Sequence, residues 1–145
     1  MNLFFIVNTL KSFDNACADL EAAVVSHGFG VMAVHNLGET LRAKGISFSE
    51  SCRVFEVCNP QLAAKVLGRD MSLTMVLPCR ISVYTDVGQT RIGMIRSSEM
   101  LHALSSDPEL IDVAKQVDAS TSAMINDAAL GLEPVRHAAG KPAAS

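Results

Sequence analysis

Four cysteines and four histidines are the side chains here with the widest chemical reach. Two thiols stand in telling places. Cys58 opens the run Cys58-Asn59-Pro60, where a strand pattern hands over to a helix pattern, and Cys79 closes Val76-Leu77-Pro78-Cys79 within an apolar stretch. A thiol just ahead of a helix meets unpaired backbone N–H groups and the positive end of the dipole, which lowers its pKa and favours thiolate. Glu56 lies two residues earlier on the same strand face and opposes this by like-charge repulsion. Arg80 follows Cys79 directly, but alternation turns it to the other face. The candidate ligand-binding or redox site is therefore Cys58, Asn59 and Cys79, with Glu56 and Arg80 flanking. Thiolates suit soft metals and haem iron, and two thiols with Cα atoms within about 7 Å can form a disulfide. The same cysteines also read as packing, since a thiol is a small hydrophobe that fits a tight helix–sheet junction.

No standard catalytic constellation accompanies them, and no residue is assigned a catalytic or metal-ligating role. There is no C-x-x-C and no histidine at metal-ligand spacing, which excludes a zinc finger or ribbon. There is no G-x-G-x-x-G and no P-loop. His35 lies on a strand among apolar residues and reads as half-buried; it becomes a base for a cysteine only if the fold joins them. His27 reads as a charge partner at a helix C-terminus, and His102 and His137 as exposed. Cys17 falls on an apolar helix stripe and Cys52 has no evident role. The sequence requires no cofactor.

The 145-residue chain is 49% hydrophobic and 19% charged, with net charge -3 and a pI near 5.7. That suffices for one core. The basic residues are scattered, with none of the clustering that nucleic-acid binding needs. The apolar stretch Leu3 to Val7 is too short for a signal segment or a membrane span. It reads as a buried first strand in a cytoplasmic protein, where the thiols stay reduced.

The elements that must position these residues follow from periodicity. Residues 3–9 are a strand. Ser12 caps a helix whose Phe13, Ala16, Cys17, Leu20 and Val24 share a face and which Gly28 stops. Val31 to Asn36 is a strand with Val31, Ala33 and His35 on one face, and Asn36 with Glu39 opens a short helix ending near Gly45. Cys52 to Cys58 alternates Cys52, Val54, Glu56 and Cys58 against Arg53, Phe55 and Val57. Asn59 and Pro60 begin a helix that ends at Gly68. Leu73 to Asp86 reads as a strand interrupted by Pro78, either an edge strand or a bend between two pieces. Asp86 to Gln89 is a hairpin turn, and Thr90 to Arg96 the last strand. A short helix over Ser97 to Leu104 precedes a longer one opened by Asp107 and Pro108. This order predicts an α+β fold, a mainly antiparallel sheet with helices on one face, over residues 1–130. Residues 131–145 read as a flexible tail.

The runs SFDNACADLEAAVVSHGFGVMAVHNLGETLRAKGI, FEVCNPQLAAKVL and MVLPCRISVY resemble domain-of-unknown-function family 302, over about residues 3–128. The most telling pieces are HGFGV at 27–31, CNP at 58–60 and LPC at 77–79. The resemblance implies a TATA-binding-protein-like fold (strand, helix, four antiparallel strands, helix) and a homodimer. It supplies no activity. Its signature residues fall here on Cys58, Asn59, Pro60, Leu77, Pro78 and Cys79, without roles. The chain departs from the family pattern at Arg80, which points to an anionic ligand or to a difference of lineage, and in GMIRSSEM, which lacks a proline. The expected function is a non-enzymatic ligand-binding or thiol-sensing module. A structural homodimer or protein adaptor is the second reading, and a cysteine-dependent enzyme the third.

Overall fold

The computed structural model of the chain describes residues 2–130. The tail expected over 131–145 lies outside them. Five strands form one antiparallel sheet in the order β1-β5-β4-β3-β2: β1 Phe4–Thr9, β2 Gly30–Asn36, β3 Cys52–Cys58, β4 Cys79–Asp86 and β5 Gln89–Ile95. The helices are α1 Phe13–Ser26, α2 Leu37–Ala43, α3 Pro60–Arg69, α4 Ser97–Leu104 and α5 Pro108–Leu130, with a 3-10 turn at Met71–Val76. The predicted α+β architecture is the one observed.

Alternation decides which strand residues meet the helices. Phe55, Val57, Ile81, Val83 and Ile92 are fully or almost fully buried against Leu20 and Val24 of α1 and Met124 and Ile125 of α5. Burying a side chain of this size contributes about 1.5–3 kcal/mol, so this layer is the main source of stability. A second, smaller core joins Leu73, Leu101, Leu110 and Ala114, with Val66, Leu67 and Val76 at its edge. It holds α3, the 3-10 turn and α4 against the first half of α5. Among the described residues no helix covers the other sheet face. There Phe4 (54% exposed), Ile6 (44%) and Ile95 (48%) stand in the open. Ile6 packs across Gly93, where an added Cβ would lie 3.0 Å from the isoleucine side chain and 3.1 Å from the Phe5 carbonyl.

Two local expectations are corrected and one open alternative is decided. Val31 and Ala33 do not share a face: the β2–β3 register shifts between them, Val31 pairing with Val57 and Ala33 with Glu56. The bulge at Met32 sends Val31 to the core and Ala33 and His35 to the open face, because one extra residue reverses alternation. The segment before Pro78 is not strand. Asp70 caps the 3-10 turn through the Ser72 N–H at 3.0 Å, and Leu73 and Val76 there face the second core instead of a sheet, while Met71 and Met75 are exposed. Finally, β4 is an inner strand, so Pro78 marks a bend and not an edge. It lies just outside the ladder, where its missing N–H costs nothing.

Candidate functional site

Cys58 is the last residue of β3, and Asn59 is the N-cap of α3. The Asn59 Oδ1 accepts the Gln61 N–H at 3.0 Å and the Leu62 N–H at 3.2 Å, while Pro60 has no N–H to satisfy. The donors expected to stabilise a Cys58 thiolate are thus already taken. Burial instead pushes the Cys58 thiol up. This reverses the expected direction, and its cause is desolvation.

Cys79 begins β4 directly opposite Val57, so Cys58 is one residue away from it across the ladder. Its Sγ lies 3.8 Å from the Ser97 Oγ. Burial raises this thiol too; the Ser97 contact partly offsets that, and charge on nearby Cys58 and Asp118 would raise it further. Cys17, buried in α1 as expected, is likewise raised by burial. Near neutral pH, Cys58 and Cys79 are therefore protonated. They act as weak S–H donors and soft acceptors, and bind a soft ion only on losing protons.

The two thiols open onto one apolar cleft at the seam between the two cores. Phe29, Val57, Cys58, Asn59 and Leu62 line one part, which holds both thiols; Leu73, Ser97, Met100, Leu101 and Leu104 line the other, which holds Cys79 alone. Val66, Leu77, Cys79, Val113 and Val117 belong to both. Among the described residues no charged side chain lines either part. The spaces measure ≈ 50 and ≈ 30 Å³, against about 10–15 Å³ for one water. They suit a guest of a few heavy atoms and are far too small for a haem macrocycle.

One wall is α4, whose start is fixed from outside. Its N-cap Arg96 makes no side-chain cap. Asp118 of α5 accepts from the Ser97 N–H at 2.6 Å and the Ser98 N–H at 3.1 Å, and its carboxylate also takes the Ser98 hydroxyl. This cap places Ser97 beside Cys79. Sequence reasoning missed it, because Asp118 stands 21 residues from Ser97 and local cap signals extend only a few residues.

Glu56 and Arg80 lie elsewhere. They are opposed on the open face, where the Glu56 carboxylate lies 3.2 Å from His35 and 3.8 Å from the Arg80 guanidinium. Glu56 therefore does not act on Cys58, and His35 is committed to a carboxylate on the other side of the sheet from Cys79. Arg80 also borders a wider outer depression past Pro78, Cys79 and Met100. His27 pairs with Asp127 of α5 at 2.9 Å. Among the described residues no three His, Cys, Asp or Glu side chains gather to hold a metal ion, and no helix is long and apolar enough to cross a membrane.

The model for "Domain of unknown function DUF302" matches residues 5–128, a span that holds both thiols and every strand but the first residue of β1. The chain belongs to the DUF302 family. A solved relative, the uncharacterised conserved DUF302 protein from Bacillus stearothermophilus, superposes with a TM-score of 0.83 at 30% identity. The match covers 89% of this chain and 99% of that one. No curated protein matches. The family thus accounts for the fold, while the chemistry of the DUF302 cleft has to be read from its residues.

Proposed function

We propose that this DUF302 chain is a small binding or sensing module that admits a small thiol-seeking guest between Cys58 and Cys79, one that leaves the cleft without net charge. The observation that carries this reading is that two cysteines far apart in sequence line one cleft with no charged wall. A neutral cleft favours a guest that leaves it neutral, since burying an unpaired charge is costly. That sets aside the anion suggested by Arg80, whose guanidinium is engaged with Glu56. The same absence of a cleft-facing base, together with raised thiols, speaks against Cys58 as an enzyme nucleophile.

Two kinds of guest fit. A soft monovalent metal ion would bind both sulfurs in exchange for one thiol proton, so that the occupied cleft stays neutral. A small peroxide would oxidise the pair through the minor thiolate form, hence slowly near neutral pH and faster as pH rises: two thiols give up two hydrogens, one S–S bond forms, and the peroxide leaves as an alcohol and water, or as two waters. The test is native and denaturing mass spectrometry of protein purified without reductant, repeated after exposure to hydrogen peroxide or a copper(I) complex. Mass that vanishes on denaturation, or a two-hydrogen loss mapped to Cys58 and Cys79, supports the reading. Four free thiols under all conditions would leave the cysteines as packing.

A further inference from the structure

We propose that Arg91, flanked by Asn8 and Tyr84 on the uncovered sheet face, binds the carboxylate of a small organic acid whose apolar chain lies over Ile6, Phe4 and Ile95. This site is separate from the thiol cleft, on the other side of the sheet.

The argument begins with an unmet demand. Among the described residues Arg91 is the one arginine without a partner. Arg42 donates to the Phe48 and Glu50 carbonyls, Arg53 approaches Asp14, Arg69 holds Asp107, Arg80 reaches Glu56, and Arg96 lies over the Phe5 ring. The Arg91 Nε is buried and has no hydrogen-bond partner. A buried guanidinium N–H left unpaired is costly, and such groups are normally satisfied. The nearest acid by register, Asp86, pairs with Gln89 further along the hairpin and does not reach Arg91.

Register supplies the rest of the site. Arg91 stands directly opposite Asn8 of β1 and directly opposite Tyr84 of β4. Directly paired residues share a face with Cβ atoms about 4.5–5.5 Å apart. An amide and a phenol therefore flank the guanidinium, and both can donate to an oxyanion. A planar fork binds a planar carboxylate with two parallel hydrogen bonds. Two residues along β1, roughly 7 Å away, Ile6 begins the exposed apolar rows that continue through Phe4 and Ile95. Glu56, two strands away from Ile95 on β3, is already paired with His35 and Arg80. An anionic head beside an apolar strip matches an acid with a short hydrocarbon chain.

Tyr84 is the only tyrosine and the chain has no tryptophan, so intrinsic emission reports on this site alone. Its emission is titrated with octanoate, acetate and inorganic phosphate at constant ionic strength and at several protein concentrations. The expected result is a saturable change with octanoate, roughly tenfold tighter than with acetate, as burial of about two methylene groups requires. It is lost in Arg91→Gln and weakened in Asn8→Ala, which keeps the guanidinium should the arginine variant not fold. The assignment is overturned if octanoate gives no saturable change, binds no tighter than acetate or phosphate, or acts equally on Arg91→Gln. Emission that follows protein concentration instead would place a second copy on this face and overturn it equally.

Discussion

Asp118, midway along α5, accepts the backbone N–H of Ser97 at 2.6 Å and so caps a helix to which it does not belong. Through that bond the longest helix sets the position of α4, and α4 sets one wall of the thiol cleft. Loss of a side-chain cap costs about 1–2 kcal/mol. Asp118→Ala should destabilise the fold by that amount and speed hydrogen exchange at Ser97 to Met100 first. Uniform exchange across α4 and α5 would show that the cap does not govern α4 separately.

The raised thiols give a kinetic prediction. Alkylation by iodoacetamide requires thiolate, so the pH midpoints for Cys58 and Cys79 should lie above that of a free thiol, because burial favours the neutral form. A midpoint below the free-thiol value at Cys58 would revive the nucleophile reading. The linked stability runs the same way. The contribution of a group with a raised folded pKa is fully present below its unfolded pKa and is lost as pH rises through the folded one. Alkaline destabilisation should therefore be smaller in Cys79→Ser than in the parent.

The two cysteine variants also separate binding from packing. On the proposed function, Cys58→Ser abolishes guest binding with little change in Tm. A purely structural thiol predicts a loss of about 1 kcal/mol from the partly buried hydroxyl with no other effect. Calorimetry beside the mass-spectrometric assay distinguishes these outcomes.

The β4–β5 turn stores strain. Val87 has φ +48° and Gly88 φ +81°, the pair of positive angles that a two-residue hairpin needs and that Asn-Gly meets best. A β-branched residue is poorly suited to this region. Val87 is 89% exposed, so its replacement forfeits little packing. Val87→Asn should stabilise the fold by about 1 kcal/mol, read as a Tm rise of roughly 3 °C. An unchanged or lower Tm would refute the strain.

Glu50 holds that same turn. It accepts the Val87 N–H at 2.9 Å and the Thr85 hydroxyl at 2.6 Å, and these bonds hold its carboxyl below the usual range. A depressed pKa contributes stability above the unfolded pKa that is lost as pH falls through the folded value. Glu50→Gln should lower Tm at neutral pH and flatten the acid limb of the Tm–pH curve. A curve parallel to the parent's would show that Glu50 contributes nothing.

The fold was legible because its elements carry local signals: Ser12, Asn36, Asn59 and Asp107 cap helices, and Val57 and Phe55 alternate against Glu56. The site was legible only in part. Cys58, Asn59 and Cys79 do meet, since both cysteines lie at ends of neighbouring strands. The bulge at Met32 was hidden, because a single inserted residue leaves composition and spacing almost unchanged. The Cys58 pKa was misjudged because Asn59 serves the helix end first. The Asp118 cap and the unpaired Arg91 arise from contacts between distant elements, which no window of sequence contains.

The bulge at Met32 has a bearing on how this chain behaves in a crowd. An open sheet has two free edges, each a template for another molecule's backbone. On β2 the bulge breaks the regular spacing of N–H and C=O groups, so an incoming strand finds no continuous ladder. The edge of β1 has no such interruption and carries exposed Phe4 and Ile6. The molecule is thus guarded on one side and sociable on the other, and strand-to-strand aggregation on heating or concentration would begin at β1.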